Sequence, residues 1–352
     1  MTPIRAFSAP LTLSMSAELS ARAATRTSPP RSVDVSVCIV NWNTRDLLHN
    51  CLASIARHTH GCRVEVIVVD NASADDSVEM VRTGFPDVRV IASRANLGFA
   101  RGSNLAAEAA RGEYVLYLNP DTELVTDAIT GLWHFLRANP GHGAAGCRLL
   151  NSDGSVQTTC ASELPTLRNE LASMLFLDRL FPRSRWLAAR ELAWWDHEDT
   201  RDVDCLSGAC MMLPRVLVER LGGFDGRVFM YGEDLDLCCR VRATGARVGY
   251  VADEVIFHHE GAASAKRGYS FAPLRQRGAN YFFLRKNRGL APAVGYRVAV
   301  AVGAVARLAG ALLAAPLWVL RGAARLPDWL PFVRRHAELL LWSLGLKRVP
   351  LA

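Results

Sequence analysis

The chain has 352 residues, of which half are hydrophobic and 21% are charged, so it can bury a sizeable core and is not a disordered protein overall. Its net charge of +7 is unevenly distributed. Segment 266–352 holds fifteen Lys or Arg residues against two acidic ones, whereas segment 33–265 carries a net −9. An acidic centre disfavours a nucleic-acid-binding groove. The basic C-terminal segment indicates contact with an anionic membrane surface, with a solvated tail as the alternative.

Two features bear on the cellular compartment. The nine cysteines form no CxxC pair and no paired spacing, which is typical of reduced thiols in the cytosol. Residues 1–32 contain no apolar stretch long enough for the core of a signal peptide. We therefore predict a disordered N-terminal tail and a cytoplasmic protein at the inner face of the cell membrane.

The first part of the chain after residue 32 alternates β-rich runs with amphipathic segments. The runs predict strands at 33–40, 64–70, 88–93 and 114–118, and the segments between them predict helices at 46–58, 75–82 and 100–110. The second helix is expected to begin with a capping box at Ser73. This alternation predicts an α/β fold with a mostly parallel, Rossmann-like sheet and right-handed crossovers.

Small polar or acidic residues follow each of the four predicted strands, where ordinary turn residues would suffice. The residues at the four ends, most of them small and polar or acidic, are Asn41, Trp42 and Asn43; Asp70, Asn71 and Ser73; Asn96, Gly98 and Phe99; and Asn119, Pro120 and Asp121. Open α/β sheets bind ligands beyond the carboxyl ends of their strands. Four such ends in succession predict a binding site at this edge.

The motifs at these ends restrict the ligand. Neither GxGxxG nor GxxxxGK[ST] occurs, so dinucleotide and P-loop phosphate cradles are not supported. Asp70 is a candidate for a nucleotide base or ribose, and backbone amides near Gly98 for phosphate. The Asp121 carboxylate suits Mg²⁺ or Mn²⁺ carrying a diphosphate.

Two further clusters of ionisable residues occur near residues 231–264. Glu233, Asp234 and Asp236 lie close together at the start of a predicted helix. Because neighbouring carboxylates raise one another's pKa, one of them can take a proton from an attacking hydroxyl. His258 and His259 are candidates for binding a metal or a phosphate. Asp236 has an alternative role, since it can pair with Arg240 four residues later, just as the aspartates at the strand ends can cap helices.

Seven blocks in this order resemble the family-2 glycosyltransferases of GT-A fold, in the branch of the bacterial rhamnosyltransferases of cell-wall and O-antigen assembly. The blocks are SVCIVNWNTRDLLHNCLASI, VIVVDNASADDS, NLGFARGSN, YLNPDTEL, LSGACMML, FMYGEDLDLCCR and FHHEGAAS. The resemblance covers residues 33–285. It implies a catalytic domain at 33–265, with a nucleotide-sugar-binding half at 33–125 and an acceptor-binding half at 126–265. Residues 266–352 would form a basic, apolar helical extension.

The resemblance also implies roles for individual residues. The donor-binding set is Val40, Asn41, Asp70, Asn71, Asn96, Gly98, Asn119 and Asp121, with NPD in place of the family's DxD motif. The acceptor-binding set is Gly208, Ala209 and Asp236. Asp234 would be the general base, supported by Glu233. Asp121 and His259, with His258 as the alternative to His259, would bind Mg²⁺ or Mn²⁺.

The implied function is an inverting transfer of a sugar from a dTDP- or UDP-linked donor to a glycan or polyprenyl-linked acceptor. Rhamnose from dTDP-rhamnose is the preferred donor sugar by resemblance alone. A nucleotidyltransferase acting on a sugar phosphate and a catalytically degenerate sugar-nucleotide-binding protein are the alternatives. The intact GEDLD sequence argues against degeneration, and the absence of a Gly/Arg/Lys-rich phosphate loop after the first strand argues against nucleotidyl transfer.

Segment 298–320 is apolar and long enough to cross a bilayer, for which about 20 residues are needed. Arg307 lies near its centre, Pro316 interrupts it, and basic residues flank it. Three arrangements remain open: an interfacial amphipathic hairpin, a spanning helix, or helices packed on the catalytic domain.

Overall fold

The computed structural model describes residues 33–259, 271–320 and 326–348. The chain divides into two compact units. Among the described residues, the first unit holds 33–164, 196–229 and 233–259, and the second holds 165–195, 230–232, 271–320 and 326–348. The predicted N-terminal tail, the predicted domain boundary after residue 265 and the end of the FHHEGAAS block lie outside the described residues.

The first unit begins with the alternation that the sequence predicted. Its first seven elements are β1 (Val35–Asn41), α1 (Arg45–His58), β2 (Val64–Asp70), α2 (Ser77–Gly84), β3 (Arg89–Ala92), α3 (Phe99–Glu108) and β4 (Tyr114–Leu118). They are followed by β5 (Thr122–Leu124), α4 (Ala128–Ala138), β6 (His142–Leu150) and β7 (Ala161–Ser162). Two helices of the second unit come next, α5 (Leu167–Met174) and α6 (Leu177–Leu180). The first unit then resumes with β8 (Arg201–Val203), β9 (Cys205–Leu206), β10 (Cys210–Pro214), α7 (Arg215–Leu221), α8 (Glu233–Ala243) and β11 (Arg247–His258).

One large sheet organises the first unit, in the order β3-β2-β1-β4-β10-β6-β11-β5, with β8 beside β11. β3, β2, β1 and β4 run parallel, and β11 runs parallel to β6. β10 lies antiparallel between β4 and β6. The predicted α/β class with a mostly parallel sheet is therefore confirmed. Every residue of β1 and β4 is buried, as expected for strands covered on both faces.

The start of α2 differs from the prediction. The residue that precedes the helix is Asp76, which has a left-handed backbone (φ 58°) and makes no side-chain capping bond. Ser73 is engaged elsewhere: its amide donates to the Asp70 carboxylate (2.8 Å), and its hydroxyl accepts from the Asn43 amide (2.9 Å). The capping box was wrong because Ser73 belongs to the strand end and not to the helix.

The second unit is helical. Its long helices are α9 (Phe271–Asn287), α10 (Leu290–Leu320) and α11 (Leu326–Ser343). They share a core with the end of α5, to which Met174, Leu284, Tyr296 and Trp342 contribute. Among the described residues, one segment, Leu290–Ala315, is long and apolar enough to cross a membrane by length and composition, and 11% of its most apolar window is buried.

A buried ion pair explains why segment 165–195 belongs with these C-terminal helices. Glu170 on α5 is almost fully buried and accepts hydrogen bonds from Asn280 on α9 (3.0 Å) and from Arg190 (3.2 Å). Arg277 on α9 lies 3.4 Å from its second carboxylate oxygen. A buried carboxylate requires such partners, so the two segments pack together although about a hundred residues separate them.

Candidate active site at the carboxyl edge of the sheet

The ends of β1 and β2 are joined by side-chain hydrogen bonds. The Asn41 amide donates to the Asp70 carboxylate (2.9 Å), and its oxygen accepts from the Thr44 hydroxyl (2.7 Å). Asp70 is buried and also accepts from the Ser73 amide. These bonds fix the Asp70 carboxylate at the edge where the sequence predicted a nucleotide. Val40, one residue before Asn41, is also buried.

The segment before α3 closes over the same edge. The Asn71 amide donates to the Gly98 carbonyl (3.1 Å), and the Gly98 amide donates to the Asn96 side chain (3.0 Å). Gly98 has φ 81°, and a Cβ there would lie 2.6 Å from the Phe229 carbonyl oxygen. Both the backbone angle and the lack of space therefore require glycine at this position.

The first unit also brings Asp234 to this edge. The Asp234 carboxylate accepts from the amides of Leu235 (2.8 Å) and Gly208 (3.2 Å), so it is held at the N-terminus of α8. Gly208 lies beside the ring of Phe99, to which a Cβ at residue 208 would come within 3.6 Å. The neighbouring Ala209 carbonyl accepts from the Asn119 amide (3.0 Å). A continuous chain of contacts therefore links the third and fourth strand ends to Asp234.

Glu233 is buried, and its Oε2 has no hydrogen-bond partner among the described residues. Burial, reinforced by the charge of Asp234, raises the pKa of the Glu233 carboxyl to about 8. Glu233 is therefore protonated at neutral pH and adds no second negative charge beside Asp234.

Asp236 is a framework residue in this structure. The residue is 1% exposed, and its carboxylate lies 2.7 Å from Nε of Arg240. The two other guanidinium nitrogens of Arg240 donate to the carbonyls of Leu221 (2.9 Å) and Gly223 (2.8 Å). The geometry favours the structural alternative for Asp236 over a contact with an acceptor.

We expect Asp236→Ala to lower the free energy of unfolding by roughly 3–5 kcal/mol, because it leaves Arg240 without its buried partner. The matched control is Glu219→Ala, which removes the i,i+4 ion pair between Glu219 and Arg215. The Glu219 side chain is 58% exposed, and an exposed pair contributes at most about 1 kcal/mol. Urea unfolding measures both. Equal effects of the two substitutions would contradict the framework role.

Of the two adjacent histidines, His258 is the one whose ring faces Asp121. Its Nε2 lies 3.4 Å from Oδ1 of Asp121 and 3.2 Å from Nδ2 of Asn119. The His259 ring instead contacts Ser152 (2.7 Å) and Glu123 (3.2 Å). Consecutive residues at the end of a strand point to opposite faces. The structure thus favours His258, the alternative in the sequence analysis, as the histidine beside Asp121.

An open cavity of about 450 Å³ adjoins these histidines. It is lined by Asn151, Ser152, Asp153, His258 and His259. Residues 151–153 follow the end of β6, so this strand end also contributes to the edge. Sequence reasoning missed this contribution, although the NSDG turn after an apolar run was a visible signal.

Two further residues of the site were missed. Gln157 is buried and bonded to His258 (2.9 Å between its Oε1 and the ring Nδ1). The Phe229 carbonyl accepts from the Phe99 amide (2.7 Å). Neither stands at the end of a predicted strand, and no spacing in the sequence connects them with their partners.

A sheet of this order, with polar and acidic side chains along its carboxyl edge, is the GT-A arrangement of glycosyltransferases that use nucleotide-sugar donors. The chain belongs to glycosyl transferase family 2, whose sequence pattern matches residues 36–220, more than half of the sequence. The sequence pattern of glycosyl transferase family group 2 matches residues 195–314. The predicted family and the glycosyltransferase activity are thereby confirmed.

Three individual proteins are similar to this chain at 20–28% sequence identity. The chain is 28% identical over 265 residues to N-acetylglucosaminyl-diphospho-decaprenol L-rhamnosyltransferase of Mycobacterium tuberculosis, over 72% of this chain and 85% of that protein. It is 28% identical over 238 residues to the O-antigen biosynthesis protein RfbC of Myxococcus xanthus, over 65% of this chain but 17% of that protein. A mannosyltransferase from Pyrobaculum calidifontis, solved with GDP-Man and Mn²⁺, has a similar fold (TM-score 0.52, 20% identity, 95% of this chain and 93% of that chain).

Proposed function

We propose that the protein is an inverting glycosyltransferase that moves rhamnose from dTDP-rhamnose to a hydroxyl group of a polyprenyl-linked or cell-surface glycan acceptor. The observation that carries the proposal is the Asp234 carboxylate, fixed by two backbone amides and linked through Gly208 and Ala209 to the strand ends. The similarity to a rhamnosyltransferase with a lipid-linked acceptor supports the choice of sugar and acceptor.

Asp234 is the general base in this proposal. Its two oxygens accept amide hydrogens from Gly208 and Leu235, which fixes the carboxylate, and a carboxylate oxygen can accept more than one hydrogen bond, including one from an acceptor hydroxyl. As the acceptor oxygen bonds to the anomeric carbon, its proton passes to Asp234, and the bond from that carbon to the diphosphate oxygen breaks. One displacement with one base inverts the configuration at the anomeric carbon. Asp70, held by Asn41, contacts the nucleotide.

The residues around Asp121 fit a divalent cation. A buried carboxylate and an imidazole nitrogen 3.4 Å away are both suitable ligands of Mn²⁺. In the described parts of the chain, no group of three or more His, Cys, Asp or Glu side chains could hold a metal ion. Asp121 and His258 would therefore supply two ligands, and donor phosphate oxygens and water would supply the others. When bound, the cation neutralises charge on the leaving diphosphate.

Product analysis tests the proposed reaction. The full chain is incubated with dTDP-rhamnose, Mn²⁺ and a synthetic N-acetylglucosaminyl-diphospho-polyprenol. We expect free dTDP and a rhamnosylated lipid whose new linkage has the opposite anomeric configuration to the donor. A parallel incubation with dTTP and rhamnose 1-phosphate that releases inorganic diphosphate and forms dTDP-rhamnose would identify a nucleotidyltransferase, and binding of dTDP-rhamnose without turnover would identify a degenerate protein. Either result overturns the proposal.

A thermal-shift comparison of donors tests the choice of sugar. With Mn²⁺ present, we expect dTDP-rhamnose to stabilise the protein more than UDP-galactose or UDP-N-acetylglucosamine. A donor at one hundred times its Kd stabilises by about 2.7 kcal/mol, which is readily detected. Greater stabilisation by a UDP-sugar would contradict dTDP-rhamnose and leave the transferase mechanism intact.

The lipid-linked acceptor also requires a membrane. We place the protein at the inner face of the cell membrane, in contact with the lipid through its C-terminal helical extension. The apolar segment Leu290–Ala315 and the basic charge of residues 266–352 support this. Fractionation with salt and carbonate washes tests it, because a protein that remains in the soluble fraction at physiological salt contradicts the membrane contact.

The pKa of Glu233 leads to a pH prediction. Because its folded-state pKa is raised from 4.5 to about 8, the stabilisation from this group is complete below about pH 4.5 and is lost as the pH rises through 8. Glu233→Gln mimics the protonated form. We expect the variant to retain activity at neutral pH and to gain thermal stability over the wild type by at least about 5 °C between pH 6 and pH 9.

Melting curves across this pH range measure the effect. Glu79→Gln, at an exposed position of α2, is the control and should melt in parallel with the wild type at every pH. Parallel curves for Glu233→Gln as well would show that Glu233 is already ionised in the folded protein.

A further inference from the structure

The segment that joins α5 to the region before β8 exposes an unusual amount of apolar surface. Within residues 175–186, five large apolar side chains are exposed, from 46% for Phe176 to 69% for Leu180. The five are Leu175, Phe176, Leu180, Phe181 and Trp186. In a soluble monomer, such residues usually occur singly on the surface. Five within one turn-rich segment indicate an interaction surface.

Arginines are interspersed with these apolar residues. Arg179, Arg183 and Arg185 are exposed. The one acidic residue of the segment, Asp178, accepts a hydrogen bond from the backbone amide of Arg179 (2.8 Å). The Arg179 guanidinium also lies 5.4 Å from the ring centre of Phe176. Charge at the ends of long side chains, above aromatic rings, is the arrangement that suits the boundary between headgroups and acyl chains.

Helix α10 of the same unit packs against this segment. Arg307 donates to the Met174 carbonyl (2.8 Å), and its guanidinium lies 4.6 Å from the centre of the Phe176 ring. The charge in the middle of α10 is therefore directed into the unit.

We propose that residues 175–186 form a surface that docks on an anionic lipid bilayer; we call it the docking surface. The occupant is a bilayer because protruding apolar side chains need no shaped partner there, and because three exposed arginines complement anionic headgroups. The inference deepens the membrane contact in the proposed function and adds a segment, residues 175–186, that ends 80 residues before the C-terminal extension at 266–352.

Vesicle flotation of the full chain tests the docking surface. We expect binding to phosphatidylcholine vesicles that contain phosphatidylglycerol, weaker binding to phosphatidylcholine alone, and weakening by salt. The triple variant Arg179→Gln, Arg183→Gln, Arg185→Gln should bind at least about tenfold more weakly to the anionic vesicles. The pair Leu180→Ser, Phe181→Ser should bind both kinds of vesicle at least about tenfold more weakly than the wild type. The control pair Val125→Ser, Val216→Ser, exposed in the first unit, should bind like the wild type.

Melting temperature and turnover of a water-soluble acceptor should be unchanged in all these variants, which separates docking from folding and from catalysis. Wild-type vesicle binding by the arginine and Leu180/Phe181 variants overturns the docking surface, and the transferase assay remains informative. The docking surface is also overturned if the wild-type protein does not bind vesicles but forms a dimer, and these variants are monomeric. The surface would then bind a second copy of the chain.

A second inference concerns Gln157 and is independent of the membrane. The Gln157 side chain makes two bonds to one residue: its Nε2 donates to the His258 backbone carbonyl (2.6 Å), and its Oε1 lies 2.9 Å from the His258 Nδ1. Gln157 is 5% exposed, so both bonds are shielded from water.

These two bonds determine the tautomer of His258. A backbone carbonyl accepts hydrogen bonds only, so the Gln157 NH₂ group must face it, and Oε1 must face the ring. Oε1 also only accepts, so Nδ1 carries the hydrogen. In the neutral ring, the lone pair is then on Nε2, which faces Asp121 and the amide of Asn119.

The geometry points to Gln157 as a positioning residue that directs the Nε2 lone pair of His258 toward a divalent cation at Asp121. This inference rests on the proposed function, in which that cation accompanies the donor. Partners that hold the outer nitrogen of a ligating histidine typically change metal affinity by about 10–100-fold when removed.

Mn²⁺ binding in the presence of dTDP, followed by the electron paramagnetic resonance of free Mn²⁺, tests the role of Gln157. We expect Gln157→Met to weaken Mn²⁺ binding by about 10–100-fold. Nitrogen NMR of labelled histidine should show the Nδ1–H tautomer of His258 in the wild type and its loss in Gln157→Met, a change that a merely structural role would not produce.

The variant His258→Ala distinguishes an error in the cation site from an error in the role of Gln157. If His258→Ala binds Mn²⁺ like the wild type, the cation site of the proposed function is wrong. If His258→Ala loses Mn²⁺ and folded Gln157→Met retains it, only the role of Gln157 is wrong.

Discussion

Asp234→Asn should reduce kcat by roughly 10²–10⁴-fold while leaving donor affinity close to that of the wild type, because a positioned general base contributes about that much to the rate. The amide cannot take the proton of the acceptor hydroxyl. It still has an oxygen to accept the Leu235 amide hydrogen, which anchors the wild-type carboxylate at 2.8 Å. Single-turnover assays with dTDP-rhamnose measure the rate, and dTDP titration measures the binding.

The control for this variant is Asp87→Asn, which makes the same chemical change at an exposed position before β3 and should leave kcat unaltered. Wild-type turnover by Asp234→Asn would exclude Asp234 as the base. A parallel loss of dTDP binding would show that the carboxylate acts on the donor instead.

Asp121→Asn should cost at least about a hundredfold in kcat and weaken the Mn²⁺ dependence of dTDP binding. The reason is that a bound cation contributes several kcal/mol of charge stabilisation to the departing diphosphate, and each 1.36 kcal/mol corresponds to about a tenfold change in rate. The measurements are kcat across a Mn²⁺ series and dTDP affinity with and without Mn²⁺.

The two histidines provide the matched comparison for Asp121. His258→Ala should resemble Asp121→Asn, because its ring nitrogen lies 3.4 Å from the carboxylate. His259→Ala should retain Mn²⁺-dependent dTDP binding, because its ring contacts Ser152 and Glu123. If His259→Ala loses Mn²⁺-dependent dTDP binding and His258→Ala retains it, His259 and not His258 is the histidine that binds the cation. An unaltered Mn²⁺ response in Asp121→Asn would contradict a cation at this position.

The placement of the candidate site at one sheet edge was predictable because it depends on local sequence. Parallel strands joined by helices present their carboxyl ends at a common edge, so the sequence alone predicts Asn41, Asp70 and Asn119 at this edge. The bond between Asn41 and Asp70 follows from two neighbouring strands ending in register.

Other parts of the site depended on contacts between distant segments. β10 enters the sheet antiparallel to β4 and brings Gly208 and Ala209 with it. No pattern in the sequence specifies that pairing, because a short buried run fits several positions in a sheet. Gln157 likewise reaches His258 across 101 positions of the chain. A side chain that acts through such a partner has no local signature.

The sequence by itself determined the α/β class and the succession of the first four strands along the chain, because hydrophobic periodicity and the residues at strand ends are local properties. The seven motif blocks indicated the family by resemblance. Only the tertiary structure decided which histidine faces Asp121, that Arg240 binds the Asp236 carboxylate, and that residues 165–195 pack with the C-terminal helices. The physical reason is that strand direction, burial of charge and side-chain partners are settled by packing between segments far apart in the chain.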